Sequence, residues 1–133
     1  MEIIPNRGIG SIHFGMTASD VKAVMGDELV WEKWMGANLN ADLYYAGIVI
    51  CFKPILRGKI IEIWIGSTFN ATYKGLAIFN LDVEDIKLLL ENEGVPYSLT
   101  EGSDIVGIHV KEYNLSFSFE KNSLVQINLF APK

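Results

Sequence analysis

Two stretches of the chain place apolar residues three and four positions apart, which is the spacing of one helix face. The first stretch follows Thr17 and the second follows Asp82, and each has an aspartate three positions after that residue. This spacing is an acidic form of the capping box, which satisfies backbone N–H groups in the first turn of a helix. The pattern therefore predicts two helices, over 18–26 and 83–93.

After each helix the apolar residues alternate with polar ones, and a period of two is typical of β-strands. Turn-forming residues such as Gly, Asn, Asp and Pro separate the alternating stretches. The short connections between successive stretches favour antiparallel pairing, because parallel pairing needs long crossovers. The pattern predicts strands over 29–35, 43–52, 59–65, 97–100, 105–110, 114–119 and 124–130.

The two halves of the chain resemble each other at an offset of 65 residues. The matched positions include Gly10 and Gly75, Phe14 and Phe79, Asp20 and Asp85, and Lys22 and Lys87. Self-similarity at a fixed period indicates a duplicated structural unit. The sequence therefore predicts one α+β domain over 1–133, made of two tandem strand-helix-antiparallel-strand repeats over 1–66 and 67–133. The repeats are expected to form one sheet with both helices on one face.

The alternation also separates the two faces of the predicted sheet. The face expected to pack against the helices contains Ile48, Ile50, Phe52, Ile61, Ile63, Ile65, Leu115, Phe117, Phe119, Val125, Ile127 and Leu129. In the second half the opposite face carries Ser116, Ser118, Gln126 and Asn128. In the first half it carries Val49, Cys51, Ile60, Glu62 and Trp64. The opposite face is thus polar in one repeat and largely apolar in the other.

Trp and Tyr are enriched among the anchoring residues of protein interfaces, so the apolar part of this face predicts a partner-binding site. The predicted site contains Trp31, Trp34, Tyr45, Glu62 and Trp64. Tyr44 is the alternative to Tyr45, because the alternation does not decide which of the two tyrosines shares the face of Trp64. The competing interpretation is that a loop, or the seam between the repeats, covers these aromatic residues.

The whole chain has a formal net charge of −5, and its acidic residues are concentrated in the second half. The stretch 82–104 contains seven acidic residues and one basic residue, Lys87. A basic protein partner complements such a field, and Glu101 and Asp104, at a predicted hairpin tip, are therefore assigned to the partner-binding site. The alternative is that these charges form a solvated helix face with no partner.

Composition also excludes some classes of partner. An acidic chain without a cluster of Lys and Arg is a poor match for nucleic acid. No apolar stretch approaches the roughly 20 residues of a membrane span. The first residues lack the basic start and apolar core of a secretory signal, so a cytoplasmic location is expected.

Candidate catalytic residues are few. The chain has one cysteine, Cys51, and two histidines, His13 and His109. Neither histidine stands in a metal-ligand spacing, and the glycines near position 10 lack the lysine of a phosphate-binding loop. We therefore expect no metal, no cofactor and no enzymatic activity. A hydrolase built on Cys51 and a histidine is the weakest alternative.

The opening segment 8–26, Gly-Ile-Gly-Ser-Ile-His-Phe-Gly-Met-Thr followed by Val21 and Gly26, resembles a motif of small bacterial proteins. Among them are immunity proteins, which neutralise toxins from neighbouring bacteria. The duplicated helix-plus-sheet plan is also similar to the β-lactamase-inhibitor-protein fold and its small outer-membrane lipoprotein relatives. In the inhibitor family a sheet built from two tandem copies grips the partner enzyme.

This resemblance implies a non-enzymatic binding protein. The function we expect is that of a cytosolic immunity protein, which blocks a cognate basic toxin by covering the toxin's active site. The alternative is a small-ligand or assembly module that uses the same face of the sheet.

Overall fold

The computed structural model describes residues 1–26, 42–53 and 58–133. The predicted strand over 29–35 lies outside these residues. Within them the chain forms two α-helices, two short 3-10 helices and twelve strands, so the predicted α+β class is confirmed. The strands are β1 (Ile3–Ile4), β2 (Gly8–Ile9), β3 (Ile12–His13), β4 (Asp42–Tyr45), β5 (Ile48–Lys53), β6 (Lys59–Gly66), β7 (Thr72–Tyr73), β8 (Leu76–Ala77), β9 (Ser98–Glu101), β10 (Ile105–Val110), β11 (Leu115–Glu120) and β12 (Ser123–Phe130).

Both helices occur where the spacing predicts them, as α1 (Ala18–Met25) and α2 (Val83–Asn92). Each begins with a complete capping box. The hydroxyl of Thr17 accepts from the backbone N–H three residues later, and the aspartate there accepts from the backbone N–H of Thr17. Asp82 makes the same reciprocal pair of contacts at the start of α2. Local hydrogen bonding thus fixes where each helix starts.

The larger sheet has seven strands in the order β4-β5-β6-β12-β11-β10-β9, and every neighbouring pair is antiparallel. The predicted leading strands are instead short pieces, since β1, β2 and β3 form a small sheet and β7 and β8 form a hairpin. Buried side chains of α1 and α2 belong to the same apolar core as the sheet. Those helix side chains are Val21, Ile86 and Leu90.

The predicted single strand over 43–52 is wrong, because the chain turns at residues 46–47 and forms the hairpin β4–β5. Gly47 has a positive φ of 78°. A Cβ atom there would lie 2.7 Å from the backbone nitrogen of Phe69 and from the hydroxyl of Thr68. Only glycine fits this turn, and the apolar residues on both sides conceal it in the hydrophobic pattern.

Two β-bulges change which residues face the core. The β5–β6 register shifts after Cys51, so Ile60 faces the core and is 2% exposed, whereas Ile61 is 39% exposed. The β11–β12 register shifts after Ser118, and Leu124 is buried while Val125 is exposed. The expectation that Ile61 and Val125 face the core is therefore wrong, because a bulge adds one residue and reverses the alternation.

Candidate functional site

One row of side chains crosses the whole seven-stranded sheet on the side opposite the main core. We call this side the outer face. The strand registers place its residues directly opposite one another from β4 to β9. The row consists of Tyr44, Val49, Trp64, Asn128, Ser116, His109 and Ser98.

The first part of this row is apolar and covered. Tyr44 and Val49 are fully buried. Cys51, two residues after Val49 on the same face of β5, is also buried. These residues form a small cluster separate from the main core, and the partly buried ring of Trp64 packs against it. Tyr44, Val49 and Cys51 are thus covered, whereas Trp64 is partly exposed.

Trp64 marks the border between the apolar and polar parts of the outer face. Its indole N–H donates to Oε1 of Glu62 at 2.5 Å. Glu62 lies opposite Phe130 of β12, a partly exposed aromatic residue that the sequence analysis did not assign to the site. Trp64 and Phe130 are diagonal neighbours, and such pairs in a sheet lie roughly 7–8 Å apart. The border thus carries two aromatic rings and one carboxylate. Phe130 is two residues after Asn128 on β12, so the alternation of that strand could have placed Phe130 on the outer face.

The other part of the outer face is polar and partly exposed. Gln126 donates from its amide to Oδ1 of Asn128 at 2.7 Å. At these described positions the face has hydroxyl, amide and imidazole groups but no carboxylate, lysine or arginine. Such a surface offers many neutral donors and acceptors to a partner. The positions are Ser98, Thr100, His109, Ser116, Ser118, Gln126 and Asn128.

His109 links three strands of this polar part. Its Nε2 lies 2.9 Å from the hydroxyl of Thr100 on β9, and its Nδ1 lies 2.9 Å from the hydroxyl of Ser116 on β11. A serine beside a histidine also occurs in hydrolases, where an acidic residue orients the imidazole. Here a threonine hydroxyl takes that position, and β11 lies between two strands that occupy its backbone N–H groups. The arrangement orients the hydroxyl groups of Thr100 and Ser116 on the outer face.

The hydrolase alternative requires Cys51 beside a histidine, and Cys51 and His109 do not lie together. Cys51 is on β5 and His109 is on β10, four strand spacings away in the sheet. At about 4.8 Å per spacing the two residues are separated by roughly 19 Å. His13 lies in the small β1–β3 sheet, and its Nδ1 is 3.1 Å from the carbonyl oxygen of Phe14.

Tyr45, another predicted site residue, does not lie beside Trp64. Tyr45 lies opposite Ile48 on the core face, is 6% exposed, and donates its hydroxyl to the carbonyl oxygen of Gly26 at 2.8 Å. It therefore does not share a surface with Trp64, whereas Tyr44 lies on the outer face. Trp31 and Trp34 lie outside the described residues.

Glu101 and Asp104 are exposed at the far edge of the sheet. Glu101 lies opposite Val106, whose side chain packs against the main core, so Glu101 is on the core side of β9. Asp104 lines a hollow of about 430 Å³ together with Ile105 and Glu120. Glu120 is not among the predicted site residues, although it directly follows the predicted strand over 114–119. β9 and Trp64 are separated by roughly 19 Å across the sheet.

In the described parts of the chain, no group of three or more His, Cys, Asp or Glu is placed to hold a metal ion. None of the helices described is both long enough and apolar enough to cross a membrane. Comparison with protein-family models, with curated proteins and with solved structures finds no match.

Proposed function

We propose that the chain is a non-enzymatic binding protein of the immunity type, which acts in the cytoplasm and neutralises a cognate bacterial toxin by covering its active site. The observation that carries this proposal is the outer face, where Trp64 stands beside a partly exposed half-sheet of neutral polar groups. Aromatic residues next to neutral donors and acceptors are the composition of interface centres, from which charged residues are depleted.

The proposal includes a tandem-repeat fold with both helices on one face of the sheet. The two capping boxes begin at Thr17 and Asp82, which are 65 residues apart. The two bulges occupy corresponding places, in the hairpins β5–β6 and β11–β12. The sheet order is also nearly symmetric about the β6–β12 pair. These correspondences support the duplication on which the resemblance to the inhibitor fold depends.

In the proposed complex Trp64 and Phe130 supply the apolar contact, and the polar part of the outer face supplies hydrogen bonds. Apolar anchors act mainly on the rate of dissociation. Asp104 and Glu120, at the hairpin tips beside the outer face, attract a basic partner before contact. Charges at the edge of an interface act mainly on the rate of association.

The alternative of a small-ligand module is less well supported. The hollows beside His109, lined among others by Ser98 and Lys111, measure about 200 and 270 Å³. Ligand pockets commonly measure roughly 300–1,000 Å³ and enclose most of their ligand. Hollows of this size on a sheet face fit side chains of a partner protein better than a small molecule.

The test begins with the gene next to the one that encodes this chain. A toxin domain encoded there is expressed in a bacterial host with and without this chain, and growth is measured. We expect the wild type to restore growth and Trp64→Ala to restore it less well. Val24→Ser, a change at an exposed apolar residue of α1, is the matched control and should behave as the wild type. The proposal is wrong if no neighbouring toxin is neutralised, or if Trp64→Ala protects as well as the control.

A further inference from the structure

Two leucines on the helix side of the sheet are exposed next to each other. Leu88 of α2 is 56% exposed and Leu76 of β8 is 43% exposed. They border a hollow of about 250 Å³, which we call the leucine groove. Its lining residues are Leu76, Leu81, Asp85, Leu88, Leu89 and Asn92.

Leu88 is not part of the main core. The inward face of α2 is formed by Ile86 and Leu90, which are buried. At the corresponding position of α1, 65 residues earlier, the chain has Ala23. The leucine at 88 therefore adds apolar surface where the other helix has a methyl group, and it does so beside a second exposed leucine. Single exposed apolar residues are ordinary, whereas here two exposed leucines border one hollow.

Carboxylates border this apolar surface on the side of α2. Glu84 and Asp85 lie one turn before Leu88, and Glu91 lies one turn after it, so all three are its neighbours on the helix surface. The only basic residue of α2, Lys87, is held 3.4 Å from Glu84. No lysine or arginine is among the residues that line the groove. The groove thus combines an apolar floor with an acidic rim.

We propose that the leucine groove docks a basic amphipathic segment of another protein. One or two aliphatic side chains of that segment occupy the hollow between Leu76 and Leu88, which is larger than the roughly 150 Å³ left by a single missing leucine-sized group. Lysine or arginine side chains beside them pair with Glu84, Asp85 and Glu91. A second copy of this chain is a poor occupant, because its formal net charge of −5 opposes the acidic rim.

This docking site is independent of the proposed toxin-binding function. The leucine groove is formed by α2 and β8, whereas Trp64 and the polar row lie on the opposite side of the sheet. A basic amphipathic segment is a recurrent type of ligand for apolar grooves. Loss of one activity should therefore leave the other intact, and variants of Leu88 should still protect against the toxin.

The test uses two synthetic helical peptides with the same pattern of leucines. One carries lysines and the other carries glutamates at the flanking positions. Each peptide is titrated into the isotopically labelled full chain, and the amide resonances are followed. We expect the lysine peptide alone to give saturable shifts, centred on β8 and α2, and its affinity to fall as salt is raised.

Two variants make the result specific. Leu88→Ser should weaken binding of the lysine peptide at least about tenfold, as expected for loss of a central anchor. Val24→Ser changes an exposed apolar residue of α1 and should leave the affinity unchanged. Both sites are exposed, so we expect both variants to keep the fold. The amide spectra verify this. The proposal is overturned if the glutamate peptide binds equally well, if the shifts centre on other strands, or if Val24→Ser weakens binding as much as Leu88→Ser.

Discussion

Trp64 and Glu62 lie two residues apart on the same face of β6, and the indole N–H of Trp64 donates to Oε1 of Glu62 at 2.5 Å. The ring of Trp64 packs on one side against the buried cluster of Tyr44, Val49 and Cys51. The hydrogen bond holds the polar edge of the indole while the cluster holds its apolar body. Trp64 is therefore held in one orientation, and in the proposed complex this would lower the entropy that binding must remove.

Replacing Glu62 by leucine should release this orientation. The indole N–H then loses its acceptor, and we expect its proton resonance to move upfield and the free energy of unfolding to fall by about 1 kcal/mol. Glu62→Gln keeps an acceptor of similar shape and should have a smaller effect on both quantities. Urea unfolding and the indole region of the amide spectrum measure them. An unchanged indole resonance in Glu62→Leu would contradict the contact.

The sequence predicted α1 and α2 to within one residue at each end, because their limits depend on local contacts such as the Thr17 and Asp82 caps. It also predicted Glu62 and Trp64 on one face, because residues two apart on a regular strand share a face. It misplaced Tyr45, because the turn at Gly47 interrupts an apolar run and alternation cannot be carried through a turn that it does not reveal. Which side chains meet across strands, such as His109 with Thr100, depends on register and was not predictable.

The bulge in β5–β6 makes a prediction that is the reverse of simple alternation. Ile60 is buried against the main core and Ile61 is exposed. Ile60→Ala should therefore lower the free energy of unfolding by about 2–5 kcal/mol, the usual range for emptying a buried isoleucine site. Ile61→Ala should cost less than about 1 kcal/mol. Urea unfolding of the two variants decides the matter, and the opposite order would mean that the bulge is absent.

The two capping boxes should contribute similarly to stability. Thr17→Ala and Asp82→Ala each remove one side-chain acceptor at the start of a helix. We expect each change to cost about 1 kcal/mol, with a range of roughly 0.5–2 kcal/mol. Because the caps belong to different helices, the double variant should show the sum of the two losses. Thermal and urea unfolding measure both, and a negligible loss at either site would show that this box does not stabilise its helix.

Glu93, the residue that ends α2, joins three separate parts of the fold. Its Oε1 accepts from the hydroxyls of Tyr113 at 2.5 Å and Tyr73 at 2.8 Å, and Lys74 Nζ lies 3.3 Å away. Burial raises the pKa of Glu93, but the hydrogen bonds from Tyr113 and Tyr73 and the nearby Lys74 together outweigh burial. The pKa of Glu93 in the folded chain is therefore below its ordinary value of 4.5.

This lowered pKa predicts how acid weakens the fold. Above the unfolded pKa the ionised carboxylate contributes its full stabilisation, and that contribution is lost as the pH falls through the lower pKa of the folded state. Glu93→Gln removes the charge, so it should cost about 1–2 kcal/mol near neutral pH, as expected for hydrogen bonds to a charged group. As the pH falls below the ordinary pKa of 4.5 and through the lower pKa of folded Glu93, the difference between variant and wild type should shrink. Urea unfolding across this pH range tests both statements. Tyr113→Phe removes one hydrogen-bond donor to Glu93, so it should also reduce the pH dependence of the unfolding free energy. If Glu93→Gln keeps the wild-type pH dependence, the acid sensitivity belongs to other carboxylates.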